Sequence, residues 1–283
     1  MKHPDKWRET TNPFSLPFKN FKLVEILGYP HARNDVFHVL GIYEGEEVEA
    51  YIKIARQKDS DLKTEIDTIL KLDYDFIPQI LDYDDDREFF VVTRAKQGDR
   101  LSFVLKNNPS ENSLDYMYEY GHTLAKIHSQ KGEFPKVKDR KFFHIPQKQV
   151  LDNFEIGFIY DFLIENSPKT VNSCFCHGDF HYANVLWQDK SISAVLDFEL
   201  AGLGNREFDI AWAIINRPGQ EFLNSQEEID LFLKGYSSIC PFDLDCVKYY
   251  MALVYTYFFE IGKNNIDYKT YVLSVLKKLC NKE

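Results

Sequence analysis

The chain has 283 residues, 44% of them hydrophobic and 28% charged, which is ordinary for a folded protein and excludes a disordered or low-complexity one. With 34 Lys and Arg against 44 Asp and Glu the formal net charge is −10, so the basic footprint of a nucleic-acid binder is absent and a cationic or polyhydroxylated ligand suits the field better. No apolar run reaches the ~18 residues that span a bilayer, because the nearest, Tyr249–Phe259, is too short and carries Thr256.

Residues 1–19 are polar and interrupted by Pro4, Pro13 and Pro17, which reads as a loose arm without an apolar signal core. FKLVEILGY, NDVFHVLGIY (34–43) and EVEAYIKIA (47–55) are β-rich runs. The last two are separated by a turn at Gly45, the pattern of a hairpin. Residues 60–72 have Leu62, Ile66, Ile69 and Leu70 at helical spacing behind a Ser/Asp start. QILDY and EFFVVTRA then read as two more strands around an acidic turn. After Gly98 the pattern turns helical over 113–129 and 148–166. Short strands follow at 174–177, 184–187 and 192–198, then four helical stretches, of which the aromatic Tyr249–Phe259 is dense enough to be buried. The cysteines, Cys174, Cys176, Cys240, Cys246 and Cys280, lack paired CxxC spacing, which points to reduced thiols in the cytoplasm.

The chemistry concentrates in 174–199. His177-x-Asp179-x4-Asn184, followed by Asp197-Phe198-Glu199, has the spacing of a phosphoryl-transfer catalytic loop and its metal element. Such a reaction needs a carboxylate at the attacking hydroxyl and oxygen ligands for Mg²⁺ on the phosphates. Asp179, Asn184 and Asp197 supply them. Lys53 lies inside the apolar strand AYIKIA, where a charge is costly unless paired. Glu65, on the following helix, is the natural partner.

HGDFHYANVLW together with AVLDFELAGLGNREFDIAWAI resembles the aminoglycoside phosphotransferase and choline kinase superfamily, small-molecule kinases with a protein-kinase-like fold. GHTLAKIHS (121–129) resembles the helix that precedes the catalytic region in that family, and the likeness covers nearly the whole chain. The resemblance implies an α+β, bilobal fold: a small antiparallel β-rich nucleotide-binding lobe over 1–97 and a larger α-rich catalytic and acceptor-binding lobe over 98–283. It implies ATP and Mg²⁺ as cofactors, with the γ-phosphate passing to a hydroxyl of a cationic small molecule. It further implies Asp179 as catalytic base, Asn184 and Asp197 as metal ligands, and Lys53, held by Glu65, on the phosphates. His177 and Asp209 brace the loop. Thr93, Arg94 and Lys96 form a hinge whose main chain meets adenine, and Asn34, with Arg33 and Asp35, lies at the nucleotide loop.

Two departures bear on this reading. The loop after Gly28, YPHARND, lacks G-x-G-x-x-G, and Gly178 and Glu199 stand where protein kinases carry Arg and Gly. The missing Arg argues against a phosphorylation-switched protein kinase. Glu199 is balanced between an indirect metal ligand and a solvated carboxylate. An aminoglycoside is the expected acceptor, with choline or another amino alcohol, a macrolide, homoserine or a sugar as alternatives, and Glu260 and Asp230 as candidates for recognising its charge. A non-catalytic nucleotide-binding pseudokinase is the alternative of another class. A zinc cluster at His177, Asp179 and His181 is disfavoured, with His181 read as packing, Cys174 and Cys176 as buried residues of a strand, and Gly202-Leu203-Gly204 as a turn.

Overall fold

A computed structural model describes residues 11–30, 33–58, 60–170, 172–262 and 264–280. The first ten residues of the expected arm, and His31 and Ala32 of the expected nucleotide loop, lie outside the described residues. The chain forms two compact units: one runs to Gly98 and takes in Ser193–Ala201, and the other comprises Asp99–Ile192 and the chain from Gly202 on.

The first unit contains, in chain order, β1 (Phe21–Gly28), β2 (Asp35–Tyr43), β3 (Glu46–Ile54), α1 (Leu62–Ile69), β4 (Ile80–Tyr83) and β5 (Phe90–Arg94). The strands make one antiparallel sheet in the order β1-β2-β3-β5-β4. Strict alternation sends Phe37, Val39, Ala50, Ile52 and Ile54 to one face, where they pack with Leu81, Phe90 and Val92. Glu44 and Gly45 join β2 to β3 in a two-residue turn with φ of 52° and 85°, the left-handed pair that matches strand twist. Lys53 pairs across β5 with Val91, and Val91 packs on Leu62 and Ile66 of α1. The alternation that buries Ile52 and Ile54 on one face therefore turns Lys53 to the side covered by α1. Asp61 caps that helix by accepting from the Thr64 N–H.

Residues 11–19 are not the loose arm expected. Leu16 is buried in the sheet core, and the buried Asp82 carboxylate accepts the N–H groups of Lys19, Asn20 and Phe21 at 2.7, 2.7 and 3.0 Å.

The second unit contains α2 (Leu101–Asn107), α3 (Leu114–His128), α4 (Lys148–Asn153), α5 (Ile159–Glu165), β6 (Ser173–Cys176) and β7 (Val185–Gln188). β8 (Ser191–Val195) carries the chain into the first unit, where the Val195 N–H donates to Phe76 O. β9 (Gly202–Asn205), α6 (Arg206–Ile214), α7 (Gln226–Ser237), α8 (Leu244–Ile261) and α9 (Ile266–Leu279) complete the second unit. α3 crosses α7 at Gly121 and Gly235, where a Cβ would stand 1.9 Å from Phe232 O and from Tyr118 O respectively. Helix α8 is buried through Tyr249, Tyr255, Phe258 and Phe259, as its aromatic density predicts.

Three local expectations fail for identifiable reasons. The helix over 148–166 breaks into α4 and α5 because Glu155 takes a left-handed φ of 60°. The strand over 192–198 stops at Val195, ahead of a left-handed Asp197 with φ of 67°. Gly202-Leu203-Gly204 is not a turn but part of β9, which pairs with β6 at Cys176↔Gly202 and Cys174↔Gly204.

Candidate active site

In the first unit one ammonium faces three carboxylates. Lys53 Nζ lies 2.7 Å from Glu65 Oε2, 2.9 Å from Asp197 Oδ1 and 2.7 Å from Glu199 Oε1. α1 supplies Glu65, β3 supplies Lys53, and the segment after β8 supplies the other two. Asp197 reaches the cluster in a backbone conformation that non-glycine residues seldom adopt, strain of the kind that persists where surroundings enforce it. Burial alone would lower the Lys53 pKa, but Glu65, Asp197 and Glu199 more than offset it and hold the ammonium charged. Burial is also the first cause that raises Glu65, to about 7; Lys53 opposes it and the other two carboxylates add to it. One ammonium cannot neutralise the three carboxylates, even with Glu65 partly protonated near pH 7, so the cluster carries surplus negative charge. Oxygens of Glu65, Asp197 and Glu199 all lie within 4.8 Å of one another, and an oxygen-only set of this kind fits a hard cation such as Mg²⁺.

Glu199 is therefore not a solvated carboxylate. Asn34 Nδ2 donates to its Oε1 at 2.6 Å and the Asp61 N–H to its Oε2 at 3.4 Å. Asn34 Oδ1 in turn accepts from Ser60 Oγ at 2.5 Å and from the Arg56 N–H at 3.3 Å, so both ends of this amide hold protein groups. Asp35 accepts from Tyr29 OH at 2.7 Å. Thr93, Arg94 and Lys96 stand outside the carboxylate cluster. The Arg94 N–H, expected to face adenine, donates to Gln79 O at 2.8 Å within the sheet. Lys96 Nζ donates to Asp75 O at 2.5 Å, and Thr93 lies opposite Tyr51 and Ile80.

In the second unit β6 leads directly into His177, Gly178 and Asp179. Buried Asp209 on α6 accepts the His177 N–H at 2.9 Å and the Gly178 N–H at 3.2 Å, and pairs with His128 Nε2 at 3.1 Å. His128 Nδ1 lies 2.6 Å from Tyr236 OH. Asp179 is fixed on three sides. Trp212 Nε1 donates to its Oδ1 at 2.8 Å, Asn184 Nδ2 donates to its Oδ2 at 3.3 Å and to its main-chain O at 3.0 Å, and His181 Nε2 lies 3.6 Å from Oδ2. Burial would raise the Asp179 pKa, but His181, His177 and Arg217 outweigh it and keep the carboxylate below its usual range. Asn184 thus commits its amide hydrogens to Asp179 and keeps its oxygen as the group able to meet a cation.

Trp212 was not foreseen as part of this site. Its ring is flanked by the Arg140 and Arg217 guanidinium carbons at 5.2 and 5.1 Å from the centroid. Arg217 is itself buried and donates to the carbonyls of Trp212 and Ile215 at 2.8 and 3.2 Å. The available signal was that Trp212 follows Asp209 by one helical turn. His181, read as packing, instead touches Asp179. Of the two late acidic candidates, Glu260 is exposed on α8, whereas Asp230 lines a cavity of about 1000 Å³ with Lys248, Tyr255 and Tyr271.

Residues 32–246 match the model of the phosphotransferase enzyme family. A probable aminoglycoside 3'-phosphotransferase of Lactococcus lactis subsp. lactis is 24% identical over 177 residues, which are 57% of this chain and 66% of that protein. The match thus spans just under two thirds of that relative. The streptomycin–ATP–APH(2")-IIa ternary complex superposes with a TM-score of 0.59 at 18% identity, over 83% of this chain and 84% of the other. A choline/ethanolamine kinase family protein from Mesorhizobium loti superposes with a TM-score of 0.55 at 14% identity, over 95% and 89%. At these identities the likeness is one of fold, an α+β protein with a five-stranded antiparallel sheet and a helical part.

Proposed function

The chain belongs to the phosphotransferase enzyme family, and on that premise we propose that it moves the γ-phosphate of ATP to a hydroxyl of a cationic small molecule of the aminoglycoside type. The observation that carries the reading is Asp179: a half-buried carboxylate that His181, His177 and Arg217 hold ionised and that Trp212 and Asn184 aim. Such a group takes the proton of an attacking alcohol as the oxygen–phosphorus bond forms. Asp209 fixes the loop that presents it. Lys53, placed by Glu65, binds phosphate oxygens of the nucleotide. Asp197 and Asn184 would hold Mg²⁺, which neutralises charge on the phosphates when bound. In this reading the residues up to 97 serve the nucleotide and 98–283 serve the acceptor, with Asp197 as the later segment's contribution to the nucleotide. The cysteine spacing, without paired CxxC, suits a reducing compartment, and in this reading the protein works in the cytoplasm. Among the described residues no helix is long and apolar enough to cross a membrane.

A positively charged acceptor is supported by the net charge of −10 and by the name of the Lactococcus relative. The Mesorhizobium fold neighbour makes an amino alcohol the second acceptor class to test. The experiment is a coupled ADP-release assay with MgATP over a panel of aminoglycosides, choline and ethanolamine. Turnover on an aminoglycoside, and its loss by at least a thousandfold in Asp179→Asn, is expected. Undiminished turnover in Asp179→Asn would remove Asp179 from the mechanism, and nucleotide binding without turnover on any acceptor would replace the enzyme by a pseudokinase.

A further inference from the structure

β6 carries Cys174 and Cys176 two positions apart, so strand alternation places both thiols on one face. Their Sγ atoms are 3.7 Å apart, and both lie within 4.8 Å of a nitrogen of the His128 imidazole. The Arg206 guanidinium on α6 lies near enough to Cys174 for the two to interact electrostatically. Asp209 stands behind the imidazole, and Tyr236 and Cys240 also face the cluster. The two sulfurs differ in setting. Cys174 is half-buried; Cys176 is buried and lines a cavity of about 320 Å³ with Arg140 and Lys136.

A soft-metal site on the same three residues is the weaker reading. Both ring nitrogens of His128 already have partners, Asp209 at 3.1 Å and Tyr236 at 2.6 Å, so a metal would have to break one of these bonds. Thiol chemistry requires no such change. The hydrogen bond from Cys176, opposed by burial and reinforced by His128, lowers Cys174 to about 5, while burial pushes Cys176 well up. This is the pairing of an attacking thiolate with a resolving thiol.

We propose that Cys174 and Cys176 form a dithiol that a hydroperoxide oxidises to a disulfide, and that this oxidation displaces the loop carrying His177, Gly178 and Asp179. The Cys174 thiolate attacks the outer peroxide oxygen. The O–O bond breaks, the alkoxide leaves and takes up a proton, and Cys174 becomes a sulfenic acid. The Cys176 sulfur then attacks that sulfur, its thiol proton leaves with the departing hydroxide as water, and the S–S bond forms. The peroxide is reduced and the two thiols are oxidised by two electrons in all. Closing the gap to the ~2.05 Å of a disulfide requires β6 to pucker, because residues two apart in a strand have Cα atoms ~6.5 Å apart, near the upper limit for a bridge. β6 is paired with β9 on one side and continues straight into His177, whose N–H is held by Asp209. The same Asp209 holds His128 beside the sulfurs. Oxidation therefore loads the loop from two directions.

The test treats the whole protein with stoichiometric hydrogen peroxide, followed by peptide mass and amide exchange. A loss of 2 Da confined to the peptide bearing Cys174 and Cys176 is expected, absent in Cys174→Ser and in Cys176→Ala and reversed by dithiothreitol. Exchange at the His177 and Gly178 amides is expected to quicken at least tenfold on oxidation. Retention of both thiols, or a sulfinic acid at Cys174 with no 2 Da loss, overturns the dithiol. A disulfide that leaves His177 and Gly178 exchange unchanged overturns the coupling to the loop. A tenfold, dithiothreitol-reversible fall in phosphotransfer is the further expectation, and it alone rests on the function proposed above. Absence of turnover in the untreated protein would count against that function and leave the mass and exchange results to decide the dithiol.

Discussion

A carboxylate that takes a proton from an alcohol has to be shielded from water, ionised and aimed. Asp179 meets the first demand in part, being half-buried, the second through His181, His177 and Arg217, and the third through Trp212 and Asn184. Trp212→Phe keeps the ring between Arg140 and Arg217 but removes the N–H at Oδ1. A hydrogen bond to a charged group contributes about 1.5–3 kcal/mol, so kcat is expected to fall roughly 10- to 100-fold while KM for ATP stays unchanged. The acidic limb of the kcat–pH profile should move up, because the carboxylate loses a donor that favours its ionised form. Steady-state kinetics between pH 5 and 8 decide it, and an unshifted limb would show that the indole only packs. The carboxylate cluster supplies a second test. In Asp197→Asn the surplus negative charge around Lys53 falls, and with it the pull on a divalent cation. MgATP at a hundred times its Kd should stabilise the wild type by about 2.7 kcal/mol, and thermal-shift titration should show that gain lost in Asp197→Asn.

Secondary structure was legible where a local pattern has one outcome. The β2–β3 hairpin follows from alternation on both sides of a Glu44-Gly45 turn, and α1 from its cap and apolar spacing. The division into α4 and α5 was not legible, because the apolar spacing runs on through 148–166 while the break lies in the backbone of Glu155. β9 was hidden for a related reason. Two glycines in four residues read as a turn, yet they are there so that other backbone can come close, with a Cβ at Gly202 placed 2.5 Å from Pro135 O. Gly202→Ala is therefore expected to cost about 1–3 kcal/mol, since the obstacle is main chain and not a mobile side chain. Urea unfolding measures it, and an unchanged midpoint would mean that 135–137 gives way freely. The candidate site divides along the same line. Asp179, Asn184 and Asp197 lie within one short stretch, and Lys53 stands out as a charge in an apolar strand. The bonds from Trp212 to Asp179 and from His128 to Asp209 join positions far apart in the chain, and only the fold brings them together.

At the scale of the whole molecule, the buried His128 network ties α3, α6 and α7 to the end of β6, so its protonation bears on global stability. Burial would lower the His128 pKa, but Asp209 and Cys174 raise it from 6.5 to about 9. A raised histidine stabilises the fold fully below pH 6.5 and loses that contribution as pH rises through 9. Cys174 has the opposite sign. Its folded value of about 5, against 9.0, gives stabilisation that is complete above pH 9 and lost as pH falls through 5. Between pH 6.5 and 9 the two slopes, each about 1.4 kcal/mol per pH unit at most, oppose one another, and the wild type should be nearly flat there. Cys174→Ser removes one side of the balance while Asp209 still holds the imidazolium. Its unfolding free energy should decline by about 1–3 kcal/mol from pH 6.5 to 9, and should no longer fall between pH 6.5 and 5 on this account. Urea denaturation at pH 5, 6.5, 7.5 and 9 on both proteins makes the comparison. Parallel profiles for the two would mean that the sulfur and the imidazole do not share a proton balance.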